Sequence, residues 1–174
     1  MDLDVQSTLV LMVTNVFAIA IAMPAIMGWR VSPGARCVQG AVVAQALAWL
    51  AFINALRIHD QILSTVWVAG LSASFVLMGC ALNAWLGPRP GSRALKLIAI
   101  LTPIGYGLGF DHYAFRVGWS NFGLATQMLL VCLALAWPAP HASLRWRALV
   151  FACRGSLAVV TLWAVVAFRS ARET

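Results

Sequence analysis

Ionisable side chains are scarce in this chain, and several of them gather in two short segments. Residues 57–60 read RIHD and residues 109–123 read GFDHYAFRVGWSNFG. Each holds one Arg, one His and one Asp: Arg57, His59 and Asp60 in the first, Asp111, His112 and Arg116 in the second. Two imidazoles and two carboxylates can ligate a divalent metal, or respond to pH as the imidazoles protonate. No pair has the H-x-x-x-H spacing that puts two ligands on one helical face, so no metal is expected. Beyond Arg116, Ser120, Gly123 and Gln127 follow at helical intervals and share one face, with Asn121 beside it. Small and polar residues in one stripe point toward other helices, as a packing seam or as a binding groove.

Other constellations are missing. The 174 residues contain no G-x-S-x-G, no H-E-x-x-H and no embedded pair of carboxylates, so the chain is not expected to be an enzyme or to hold a cofactor. The glycines of GYGLGF (Gly105, Gly107, Gly109) lack the spacing and the preceding strand of a nucleotide loop, and close helix approach explains them better. The cysteines fall singly in or beside apolar runs and read as small core residues.

The elements that must position these residues follow from composition. The chain is 62% hydrophobic and 10% charged, too apolar for a soluble domain of its size. Its apolar residues come in blocks of about 20, the length that crosses a hydrocarbon core of about 30 Å. The expected fold is an all-α membrane protein, one bundle over 1–174. Its six transmembrane helices lie at about 7–29, 37–56, 62–86, 94–110, 117–137 and 148–168. Breaks at Ser32-Pro33-Gly34, Gly87-Pro88-Arg89-Pro90-Gly91 and Pro138-Ala139-Pro140 give short connections and an antiparallel up-down order. The acidic start, Met1-Asp2-Leu3-Asp4, is unlike a signal peptide, so the first span is expected to be retained.

Basic residues orient the bundle. One set of loops holds Arg30, Arg36, Arg89, Arg93, Lys96, Arg145 and Arg147 and no acid, whereas Asp2, Asp4, Asp60, Asp111 and Glu173 all fall on the other side. The basic side is expected to face the cytoplasm and the N-terminus the outside. With two or three cations each, these loops signal topology and touch anionic lipid; no nucleic acid partner is expected. Residue 174 then lies outside, so driving a cytoplasmic domain would require a seventh helix after it. Arg154 stands roughly 9 Å inside the sixth span at 1.5 Å per residue. Every acid of the chain lies on the opposite side, so it must reach lipid phosphate, backbone carbonyls or an amide such as Gln127.

The order of these features resembles the polytopic sensor module that precedes the GGDEF domain in many proteobacterial diguanylate cyclases. The likeness is carried by a first span ending in Trp29-Arg30, by GARCVQGAVVAQALAWLAFINALR (34–57), and by ILSTVWVAGLSASFVLMGCALNAWLG (62–87) with its Gly-Pro-Arg turn. YAFRVGWSNFGLATQMLLVCLAL (113–135) and the Arg154 within the sixth span complete it. Neither the seventh helix nor the Gly-Gly-Asp-Glu-Phe signature of that family occurs in these residues, so no catalytic residue carries over. The resemblance implies a multi-pass input module of the bacterial inner (cytoplasmic) membrane, working in cyclic di-GMP signal transduction as a homodimer or oligomer. From the residues themselves, the expected cue is a small molecule or a proton, with Arg57, His59, Asp60, Asp111, His112, Arg116, Ser120, Asn121, Gln127 and Arg154 as the candidate sensing residues. A small transporter or channel is the alternative; the lack of a midplane acid and of inverted repeats weighs against it.

Overall fold

The computed structural model of the chain describes residues 2–28, 31–55 and 59–137. The span placed at 148–168, with Arg57 and Arg154, lies outside them. All regular structure among the described residues is helical: α1 (Asp2–Met27), α2 (Pro33–Ala55), α3 (Asp60–Leu86), α4 (Ser92–Leu108) and α5 (Tyr113–Ala136). By length and composition α2, α3 and α5 can each cross a membrane. In α1 the corresponding apolar stretch is Val13–Ile26, and α4 has 17 residues, with Arg93 and Lys96 in its first turns shortening its apolar part further.

Several helices begin a turn earlier than the apolar runs suggest, for local reasons. Ser32 caps α2, its Oγ accepting the Ala35 N–H at 3.3 Å, and Pro33 takes the first helical position, where its missing N–H is no loss. Ser-Pro is thus a helix start as well as a break. The turn after α3 is sharp because Gly87 (φ 81°) and Gly91 (φ 83°) adopt left-handed backbone around Pro88 and Pro90, a conformation open mainly to glycine.

Helix α3 is the hub of the bundle: it packs on α2, α4 and α5, while α1 rests on α2. Short turns between packed neighbours make consecutive helices antiparallel, so α3 and α5 run parallel. The α2–α3 contact is the most extensive and rests on small residues. Ala41, Ala48 and Ala55 are buried at heptad spacing, and a Cβ on Gly70 would stand 2.7 Å from Ala48 Cβ and 3.2 Å from the Ala44 carbonyl oxygen. Such close backbones gain dispersion contacts where lipid offers no hydrophobic drive between helices. Trp49, Phe52 and Trp67 close this seam near the α2–α3 turn, with Phe52 and Trp67 centroids 4.7 Å apart.

Helices α4 and α5 interlock by a different device. A Cβ on Gly109 would run into the Phe115 ring, one on Gly105 into the Trp119 indole, and one on Gly123 into the Thr102 side chain. Phe115 and Trp119 stack on one another at 5.7 Å. The Trp119 Nε1–H donates to the carbonyls of Leu101 (3.3 Å) and Thr102 (3.1 Å), beside Pro103 in α4. The glycines of GYGLGF make room for aromatic rings of α5.

Candidate functional site

The polar stripe of α5 is where the described helices meet chemically. Tyr113 already belongs to α5, so Arg116 sits in the first turn of the helix, its N–H donating to the His112 carbonyl at 2.9 Å. Ser120, Gly123 and Gln127 are buried and Arg116 is half-buried, whereas Asn121 is exposed. The stripe faces α3 and α4.

At its deep end lies a hydrogen-bonded hub. Gln127 is 0% exposed, and Ser72 of α3 and Thr102 of α4 are each 1% exposed. Gln127 Nε2 donates to Ser72 Oγ (3.1 Å) and to Thr102 Oγ1 (3.2 Å). The amide orientation has a chemical reason: the Thr102 hydroxyl gives its proton to the Ile98 carbonyl at 2.6 Å, so its oxygen needs a donor. Three helices are thereby joined near their middles, ~21 Å along α5 from its start. Gln127 Oε1 is buried without a partner, an arrangement apolar surroundings penalise.

These opposing terms give a small net effect. Ser72→Ala should lower stability by less than about 1 kcal/mol, the usual worth of one interhelical bond in a membrane. Gln127→Leu should stay within about 1 kcal/mol of the wild type, since it removes the unpaired acceptor along with both bonds. Reversible unfolding in bicelles followed by circular dichroism measures both; a loss twice that size for Gln127→Leu would make the hub a keystone of stability.

At the other end of the stripe, the Arg116 guanidinium lies among aromatic rings. Its Cζ is 4.2 Å from the Phe110 centroid, 5.5 Å from Tyr113 and 5.8 Å from Tyr106, within the range of cation–π attraction. His59, Asp60, Asp111 and His112 are all exposed. Gln61 Nε2 donates to the Gly107 carbonyl at 3.2 Å, so the start of α3 and the α4–α5 turn occupy the same end of the bundle. The four ionisable residues share that end without forming an ion pair among the described residues. No three His, Cys, Asp or Glu side chains of the described residues could hold a metal ion together. His59 and His112 take the cap positions of α3 and α5, and neither imidazole bonds to the first turn it precedes.

Two features stand outside the sequence-based candidates. The hydroxyl partners of Gln127, Ser72 and Thr102, are not among the polar residues singled out from the sequence, although Ser64, Val68 and Ser72 follow at i, i+4 and mark the buried face of α3. Arg89 read as a topological charge, yet it is only 7% exposed. Its Nη1 donates to the Trp137 carbonyl (2.7 Å) and its Nη2 to the Leu86 carbonyl (3.1 Å), while its own N–H donates to Asn83 Oδ1 (3.0 Å). One cation therefore serves the C-terminal ends of both α3 and α5, where unpaired carbonyls concentrate negative partial charge. Lodging between two prolines, Pro88 and Pro90, fixes the backbone from which it reaches.

The chain matches no protein-family model, no curated protein and no solved structure, so what the site does has to be read from its own residues.

Proposed function

We propose that the chain is the membrane-embedded input module of a bacterial signalling protein of the diguanylate cyclase type. It is a bundle of six spans with the α2–α3 and α4–α5 turns outside, in the inner membrane, and it carries no catalytic site of its own. The cue is external or dissolved in the membrane, acts near Arg116, His59 and Asp111, and is passed on by helix repacking. Arg57 joins this surface as a proposal from sequence, and Arg154 is a second sensing candidate nearer the cytoplasmic side of the sixth span. The observation that carries the reading is the α5 stripe: one helical face links Arg116 at the bundle end to Gln127, which bonds α3 and α4 at once. A displacement of α5 must alter that hub, and a hub with small net stability can exchange between two packings. Against a channel stands the burial of Ser72, Thr102 and Gln127, which leaves no wetted path through this hub among the described residues.

The test joins residues 1–174, through one added apolar helix, to a diguanylate cyclase domain. Cyclic di-GMP is then measured in cells at matched membrane levels. Arg116→Gln and Gln127→Leu should each change output about fivefold or more, the ordinary lower range of allosteric coupling. Output equal to the wild type for both variants, across pH and growth conditions, would remove the sensory role. Cysteine labelling along α5 that continues through Gln127 would favour transport instead.

A further inference from the structure

The Arg116 end of the stripe has an unspent chemistry that narrows the class of cue. We propose that the Arg116 guanidinium is an oxyanion-binding site, taking a carboxylate or phosphate on its in-plane N–H edge; this rests on the sensory reading above and specifies its ligand.

Three observations converge. The first is the platform. Phe110 lies 4.2 Å beneath the guanidinium carbon, and Phe110 is itself held edge-on by Tyr106 at 6.2 Å. Tyr106 is buried, so the stack is anchored in the bundle. The second is what stacking leaves over. An aromatic ring attracts a guanidinium without supplying an oxygen acceptor, so the N–H fork that matches two oxygens of a carboxylate or phosphate keeps its hydrogen-bonding capacity. Among the described residues no carboxylate pairs with this fork and no side-chain or backbone oxygen accepts from it. Arg89 is the opposite case, a buried guanidinium with its Nη atoms committed to carbonyls. The third is local charge. The first turn of α5 contains no acid, and the His112 side chain caps none of its N–H groups. Asp111 and Asp60 share this end and are exposed in water. Their repulsion, screened within about 8 Å at physiological salt, disfavours highly charged anions and favours a singly charged oxyanion.

A guanidinium already fixed on its platform binds without first losing rotamer freedom, which is the advantage of preorganisation. The same chemistry is offered by a lipid phosphate and by a free carboxylate or phosphate, and the experiment separates them. Purified chain labelled with 15N-arginine is placed in zwitterionic nanodiscs, and the Arg116 Nε–H resonance is assigned by its loss in Arg116→Lys. Titration with acetate and with inorganic phosphate should shift that resonance saturably. Phe110→Leu should weaken the response about fivefold by removing the stacking platform. If the resonance stays still with both salts yet moves in nanodiscs containing phosphatidylglycerol, the site is real and its occupant is a lipid headgroup. A resonance unmoved by every anion overturns the site. Should cyclase output in the fusion still depend on Arg116 in that case, the sensory reading survives without this ligand. A clear shift with output indifferent to Arg116 keeps the site and removes its link to signalling.

Discussion

Replacing Arg89 by alanine is expected to destabilise the bundle by about 3 kcal/mol, the upper scale of losing charge-assisted hydrogen bonds from a buried guanidinium. The side chain is almost wholly enclosed and ties the Leu86 and Trp137 carbonyls to one planar group. Its removal leaves both helix ends with an unserved carbonyl and a void beside Leu95 and Leu130, which line the adjoining cleft. Arg89→Lys should recover less than half, because an ammonium on a flexible stem cannot span two carbonyls in a fixed fork. Equilibrium unfolding in bicelles measures both variants. A loss below about 0.5 kcal/mol for the alanine variant, the range of ordinary surface substitutions, would return Arg89 to the role of a topological charge.

The α4–α5 interlock sets the second large effect. Gly123→Ala should cost about 2–3 kcal/mol through overpacking. The new methyl meets the Thr102 side chain, whose Cβ lies 2.9 Å away, and Thr102 is β-branched and bonded to Ile98, so it cannot rotate aside. The helices must separate, which also draws Gln127 away from Thr102. Adding Thr102→Ala should restore part of the loss, since it removes the two nearer atoms and leaves the Cβ at 2.9 Å. A double-mutant cycle on thermal unfolding gives the coupling, expected to exceed about 1 kcal/mol. Simple additivity would show that the two residues do not share the contact described.

Fold class was legible from apolar runs alone, because a bilayer demands satisfied backbone and long apolar surface from any span. The start of each helix was less so. Ser32 and Tyr113 lie where hydropathy falls, and capping or the first helical turn extends a helix past that fall. The α5 face was legible from spacing, since Ser120, Gly123 and Gln127 are fixed relative to one another by the helical repeat. Which hydroxyls Gln127 meets was not, because that depends on how α3 and α4 slide along α5. Arg89 was hidden for a different reason: charge counting treats every loop cation alike, and only the path of the Gly-Pro-Arg-Pro-Gly turn folds this one inward. The tryptophans divide likewise. Trp119 falls near the start of α5, where an interfacial belt is expected, but its N–H is spent on α4 carbonyls.

The two ties between α3 and α5 have a mechanical meaning. Arg89 joins the helices at their ends and Gln127 joins them near their middles, so the pair behaves as a beam clamped over half its length. Beyond Gln127 the α4–α5 hairpin continues a further 11 residues to Arg116, ~16 Å of arm whose Gly107 lies against Thr65 of α3. The hydrogen bond that holds the arm to α3 there is the exposed one from Gln61 to Gly107. A tilt of ~10° about the Gln127 fulcrum would carry the Arg116 tip sideways by ~3 Å at that radius. Read in the other direction, a push of one atomic diameter on the tip becomes a sub-ångström shear at the fulcrum, with a matching gain in force.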